Sequence, residues 1–137
     1  MLFEVLCRYE NGEILPRYKQ PEGEFITAPS IEATSEKVII NWNQAAKDIE
    51  RFIRALNPFI NAGTRYRGNY LKIHSAYIEN YDSGYKPGTI VSTKDDLGIA
   101  TKKGTLHITV LQAGSYFIGK SSEFIRLTNC KIGEILE

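Results

Sequence analysis

TRYRGNYLKIHSAYI, residues 64–78, decides the fold. The turn signal Arg67-Gly68-Asn69 splits it into two arms, and the period of two in those arms is that of an antiparallel hairpin. In the second arm Leu71, Ile73, Ser75 and Tyr77 are expected on one face, opposite Lys72, His74, Ala76 and Ile78. Downstream, PGTIVS (87–92), LGIAT (97–101) and GTLHITVLQ (104–112) read as further strands. Lys86-Pro87-Gly88, Asp95-Asp96 and Lys102-Lys103-Gly104 supply the turn signals. Short strands at intervals of roughly ten residues predict a small barrel or sandwich. About five to six of them with one helix suit a mainly β fold, a small Greek-key OB-like β-barrel.

Upstream of the hairpin, NQAAKDIERFIRALN (43–57) carries Ala46, Ile49, Phe52, Ile53 and Leu56 at offsets of three and four. That apolar stripe predicts an amphipathic α-helix over about 43–56, with Asn43 as N-cap and an exposed Glu50–Arg54 pair. Pro58 ends it, because the residue before a proline is disfavoured in the helical region. Residues 1–41 read as an extended lead-in: the end of a helix closing at Gly12, then a stretch punctuated by Pro16, Pro21 and Pro29. Residues 42–137 read as the barrel domain, closing with a short helix around SSEFIRL (121–127) and a strand-like KIGEIL (131–136).

Of the 137 residues, 42% are hydrophobic and 24% charged, an ordinary globular balance that allows one domain with a real core. No apolar run reaches the ~18 residues that span a bilayer, and the first residues lack a basic n-region, so the expectation is cytoplasmic, with no membrane partner. Cys7 and Cys130 stand far apart, His74 and His107 are solitary, and no cluster has metal-ligand spacing. No nucleophile–base pair stands out either, so no catalytic residue, metal or cofactor is expected in this chain. The formal net charge of +1 is unevenly spread: residues 1–41 carry −3 and residues 42–137 carry +4. Such a split marks a basic docking face or an ordinary solvated surface.

The order of short motifs resembles one family. Lys19-Gln20 with Phe25-Ile26-Thr27-Ala28-Pro29, Ile40-Asn41-Trp42 and Ile53-Arg54-Ala55-Leu56-Asn57-Pro58 come first. Tyr70-Leu71-Lys72-Ile73, Pro87-Gly88-Thr89-Ile90, Gly104-Thr105-Leu106, Leu111-Gln112, Ser122-Glu123-Phe124-Ile125-Arg126 and Ile132-Gly133-Glu134-Ile135-Leu136 follow. Each motif alone is weak, but in order they resemble the C-terminal, OB-fold-like domain of the methionyl-tRNA formyltransferase family. The resemblance implies a separate catalytic domain, dependent on 10-formyltetrahydrofolate, for which this chain would hold the tRNA acceptor arm. Three departures stand out. Ile60-Asn61 replaces the family's Pro-Gly, and Asn41 replaces an aspartate. Ala113-Gly114-Ser115-Tyr116-Phe117 replaces a run with paired lysines.

On that reading the candidate RNA contacts are Arg51 and Arg54 on the helix, Arg65, Arg67 and Lys72 on the hairpin, and Lys102, Lys103 and Lys120 on barrel loops. Tyr66 and Tyr70 are candidates for stacking on a base. The alternative is a structural or interaction domain of a sugar-nucleotide or other formyltetrahydrofolate-dependent formyltransferase, with a catalytic domain or a second copy of the chain as partner. A third reading, an unrelated OB-type oligonucleotide binder, needs aromatics interleaved with cations, which only Tyr66-Arg67 to Tyr70-Lys72 resembles.

Overall fold

Arg67 and Gly68 have φ of 48° and 76°, the pair of left-handed residues that a two-residue type I′ hairpin turn requires. They join β1 (Ala62–Tyr66) to β2 (Asn69–Glu79) in the computed structural model, which describes residues 2–16, 18–19, 23 and 36–137. The expected linker motif at Gln20 and Phe25 to Pro29 lies outside the described residues.

The remaining strands are β3 (Ile90–Ser92), β4 (Leu97–Ala100), β5 (Thr105–Ala113) and β6 (Phe117–Lys120). They form one antiparallel sheet ordered β1-β2-β5-β4-β3, with β6 also on β5. β5 is the axis. It pairs with β2 along one edge, and its other edge is shared by β4, opposite Thr105–Ile108, and β6, opposite Val110–Ala113. The mainly β, OB-like fold expected from the strand spacing is what forms, as a curled half-barrel of six strands.

The C-terminal residues strap its open side. Ile90 N–H donates to Glu134 O, Leu136 N–H to Gly88 O, and Arg65 and Glu137 exchange backbone hydrogen bonds. The tail therefore bridges β3 and β1, the two outer strands. KIGEIL was expected as a strand; it is this strap instead, with a single bridge, Thr89 to Ile135.

One expectation about faces is corrected. Leu71 and Ile73 are buried, but Ser75 and Tyr77 are exposed, and Ala76 and Ile78 turn inward instead. The register between β2 and β5 shifts on both sides of Ser75. A bulge there adds a residue between inward positions, which reverses the alternation and increases the local bend.

Helix α2 spans Ala46–Leu56, after an irregular lead from a 3₁₀ turn at Glu36–Val38. Ala46, Ile49 and Ile53 are buried in the core with Phe52 and Leu56 packed against it, as the stripe predicts. The N-cap is not Asn43 but Ala45, which has no side-chain cap. Asn43 N–H donates to Asn41 Oδ1 in the preceding turn, and Ala46 N–H donates to Lys103 O. The barrel thus supplies an acceptor that a capping side chain would otherwise provide. α3 (Ser121–Thr128) sends Phe124 into the core against Tyr66 and Phe117. Val38 and Ile40, read from sequence as lead-in, are also buried. Trp42 Nε1–H donates to Thr64 Oγ1 at 3.1 Å, and Thr64 Oγ1 donates to Glu137 O at 2.8 Å. Lead-in, hairpin and tail are locked by that chain of bonds.

α1 (Leu2–Glu10) buries none of its residues, although Leu2, Phe3, Leu6 and Tyr9 are apolar. Among the described residues, no helix is long and apolar enough to cross a membrane and no acidic, histidine or cysteine group could hold a metal ion. Cys7 and Cys130 are free.

Candidate nucleic-acid interface

Register decides which candidate cations share a surface. Residues opposite one another on paired strands point to the same side of a sheet. Arg65 lies opposite Tyr70, Lys72 opposite Gln112, Gln112 opposite Ile118, and Lys120 opposite Val110. The intervening Thr64, Leu71, Leu111 and Ala113 are buried. Arg65, Lys72 and Lys120 therefore stand on one outer wall of β1, β2, β5 and β6. The positions between them on that wall are Gly63, Tyr70, Val110, Gln112 and Ile118, and none is acidic.

Lys102 and Lys103 lie in the β4–β5 turn at the far end of β5, on the order of 25 Å from Lys72 at ~3.3 Å per residue. There they line an open cleft of ≈ 690 Å³ with Asn43, Gln44, Asp48 and Asp82. Arg51 and Arg54 line the adjoining cleft along α2.

Ion pairing separates the eight cations further. Arg51 meets Asp48 at 3.7 Å, Arg54 meets Glu50 at 2.7 Å, and Arg67 meets Glu134 at 2.6 Å. The side chains of Arg65, Lys72, Lys102, Lys103 and Lys120 have no ion-pair partner among the described residues. An anionic ligand meets these five without displacing a carboxylate.

Arg67 and Tyr66 serve the barrel. Tyr66 is buried, and its hydroxyl donates to Glu134 Oε2 at 2.6 Å, while Arg67 donates to Glu134 Oε1 and to Thr128 O. These donors, with Lys131 N–H, hold the Glu134 carboxyl down to about 2; the Tyr66 hydroxyl is pushed up, first by burial and then by Glu134. No open ring face remains on Tyr66 for a base. Tyr70 lies on the outer wall, half-buried and flat across Gly63, where an added Cβ would come 1.9 Å from the tyrosine oxygen. It remains beside Arg65 and Lys72.

The description "Formyl transferase, C-terminal domain" fits residues 33–128. The chain belongs to the formyl transferase C-terminal domain family. It is similar to the methionyl-tRNA formyltransferase of Clostridium perfringens (strain 13 / Type A), 35% identical over 128 residues, covering 93% of this chain and 40% of that protein. It is likewise similar to the methionyl-tRNA formyltransferase of Roseiflexus sp. (strain RS-1), 38% identical over 116 residues, covering 83% and 35%. The chain thus spans about two-fifths of the length of these relatives. HypX from Aquifex aeolicus, in complex with tetrahydrofolic acid, superposes with a TM-score of 0.65 at 21% identity, over 97% of this chain and 23% of that one. That likeness shows the fold.

In this formyl transferase C-terminal domain Gly114-Ser115-Tyr116, within the run Ala113–Phe117 expected to depart from the family, form the β5–β6 turn. Lys120, four residues beyond exposed Tyr116, supplies a cation from the end of β6. Sequence reading missed two features. Tyr81 and Tyr85, in the loop after β2, are exposed at 62% and 51%; their signal was aromatic residues in a polar, Gly-Pro-containing loop beside Lys86. His107 lies between Asp96 (Nδ1 to Oδ1, 2.6 Å) and Glu79 (Nε2 to Oε2, 2.9 Å), stacked on Tyr77, which donates to Asp96. Only the bulge, which turns Tyr77 outward, and the β4–β5 register assemble that cluster.

Proposed function

We propose that this domain docks the sugar-phosphate backbone of a tRNA for formylation by a separate catalytic domain, and performs no chemistry itself. The observation that carries the reading is that Arg65, Lys72 and Lys120 are unpaired and no acidic position lies between them on the outer wall. Phosphate recognition needs cations free to exchange their counterions, and shape rather than sequence is then read. Lys102 and Lys103 form a separate pair at the far end of the barrel, beyond Glu79 and Asp96 and beside Asp48 and Asp82, while Arg51 and Arg54 already satisfy helix carboxylates. The tRNA in the names of the methionyl-tRNA formyltransferases it is similar to supports the ligand class. Filter binding of a tRNA across a salt series tests the reading: affinity at low salt that falls steeply with added salt is expected, and no binding at low salt would refute it.

A second contact, with a formyltransferase catalytic domain, is favoured by α1. Its apolar residues Leu2, Phe3, Leu6 and Tyr9 are exposed among the described residues, and a helix with such a stripe reaches stability by packing against another surface. Co-purification of the chain with a formyltransferase catalytic domain, lost on Phe3→Asp with Leu6→Asp, is the expected result; indifference to those charges would remove the role.

A further inference from the structure

Resting on the RNA-docking reading, we propose that Tyr70 is a hinged contact of the outer wall. Its ring lifts from Gly63 when RNA docks, and its hydroxyl donates to a backbone phosphate engaged by Arg65 and Lys72.

Tyr70 stands directly opposite Arg65 across the β1–β2 pair, and Lys72 follows two positions later on the same strand and face. Neither cation has an ion-pair partner among the described residues. Opposite residues of an antiparallel pair carry Cβ atoms about 5 Å apart. A phosphate meeting both cations therefore lies within reach of the side chain between them.

The ring instead reaches diagonally across the strand pair to Gly63, two positions along β1 from Arg65. A Cβ on residue 63 would come 1.9 Å from the Tyr70 oxygen and 2.3 Å from the ring carbon that carries it. The ring thus occupies the place of a side chain that glycine lacks. Its hydroxyl is buried there with no hydrogen-bond partner among the described residues. Burial pushes the hydroxyl pKa up, and the nearby Arg65 guanidinium draws it the other way. This seat shelters the ring but gives the hydroxyl nothing. A buried hydroxyl without a partner is costly, whereas a hydrogen bond to an ionised acceptor is among the strong ones. A phosphate beside Arg65 supplies the missing acceptor.

Only the side chain needs to move. The Tyr70 backbone is held by its pairing with Arg65 and by Gly114 N–H, which donates to Tyr70 O at 3.4 Å. The residue is half-buried, so the ring has solvent on its outer side, and a change of staggered rotamer leaves the sheet as it is.

The test measures tRNA binding across a salt series with the full chain, Tyr70→Phe and Gly63→Ala, and a melt of each. Tyr70→Phe is expected to weaken binding about tenfold at every salt concentration, the effect of one hydrogen bond to a charged group. Its salt slope should match the parent's, because a neutral donor releases no counterion. Its melting temperature should be equal or higher, because the hydroxyl it removes has no partner in the fold. Gly63→Ala closes the seat, so the lifted ring is already populated, and binding as tight as the parent's or tighter is expected. If the parent chain does not bind tRNA, both this inference and the docking reading fail. If the parent binds and Tyr70→Phe binds equally well, or lowers the slope, this inference alone fails. A folded Gly63→Ala that binds tenfold more weakly would likewise overturn it, since the seated ring would then be the binding form.

Discussion

Tyr66 and Glu134, 68 residues apart, are joined by a hydrogen bond of 2.6 Å that fastens the C-terminal strap to the first strand of the barrel. The same carboxylate receives Arg67 and the Lys131 N–H, so one side chain collects the turn of the hairpin and the base of the tail. The turn is fixed because its outermost cation is tied down, which is why Arg67 is not free for RNA.

Glu134 gives the fold an acid limit. Its carboxyl sits near 2, against 4.5 for the free group, through hydrogen bonds from Tyr66 and Arg67. A depressed carboxyl contributes stability that is fully present above the ordinary carboxylate range and is lost as pH falls from about 4.5 towards 2. Glu134→Gln is expected to lower stability at pH 7 by about 1 kcal/mol, a partly exposed group being screened by solvent, and to flatten the acid side of the profile. Urea midpoints at pH 7, 4 and 3 for both proteins check this; parallel profiles would contradict it.

Thr64→Val severs the relay from Trp42 to Glu137 without changing side-chain volume much. Trp42 Nε1–H is then left buried without an acceptor, and a loss of about 1–3 kcal/mol is expected. Trp42 is the single tryptophan, so its emission reports the change directly, and an unshifted urea midpoint would count against the relay.

The hairpin and helix were legible because their signals are local: Arg67-Gly68 for the turn, and the Ala46-Ile49-Ile53 stripe for the buried face. The expected N-cap Asn43 failed because its competitor, the Lys103 carbonyl, comes from 57 positions away (103 against 46). The face swap at Ser75 was hidden for a similar reason, since a bulge is a relation between β2 and β5 and leaves no glycine or proline mark here. Strand β6 carries little strand signal of its own, because Phe117–Lys120 is four residues long and holds Gly119. The candidate cations were visible as residue types. Which were free depended on carboxylates brought in by folding, as with Arg67 and Glu134.

Gly63→Ala tests how tightly Tyr70 is laid against the wall. The new methyl would overlap the tyrosine ring, and a cost of about 1–3 kcal/mol is expected from overpacking. Adding Tyr70→Ala should recover part of that loss by opening the space. Additive losses in the double variant, read from denaturant midpoints, would show that ring and backbone are not coupled.

His107→Ala removes the group that both Asp96 and Glu79 face, leaving Tyr77 without its stacking partner. The loss expected is about 1–3 kcal/mol, with faster hydrogen exchange in the turn before β4 that Asp96 ends. Exchange unchanged in residues 93–97 would assign the cluster no role in holding that turn.

The most direct test of the RNA-docking claim is the salt dependence of tRNA binding by the chain and by the variant Arg65→Ala, Lys72→Ala, Lys120→Ala. Each phosphate contact contributes roughly 0.7–0.9 to the slope of log affinity against log salt. Removing the wall cations should lower the slope by about 2 to 3 and weaken binding at low salt by at least tenfold, with an unchanged melting temperature. An identical slope in the folded variant would contradict the account and place any RNA contact elsewhere on the domain.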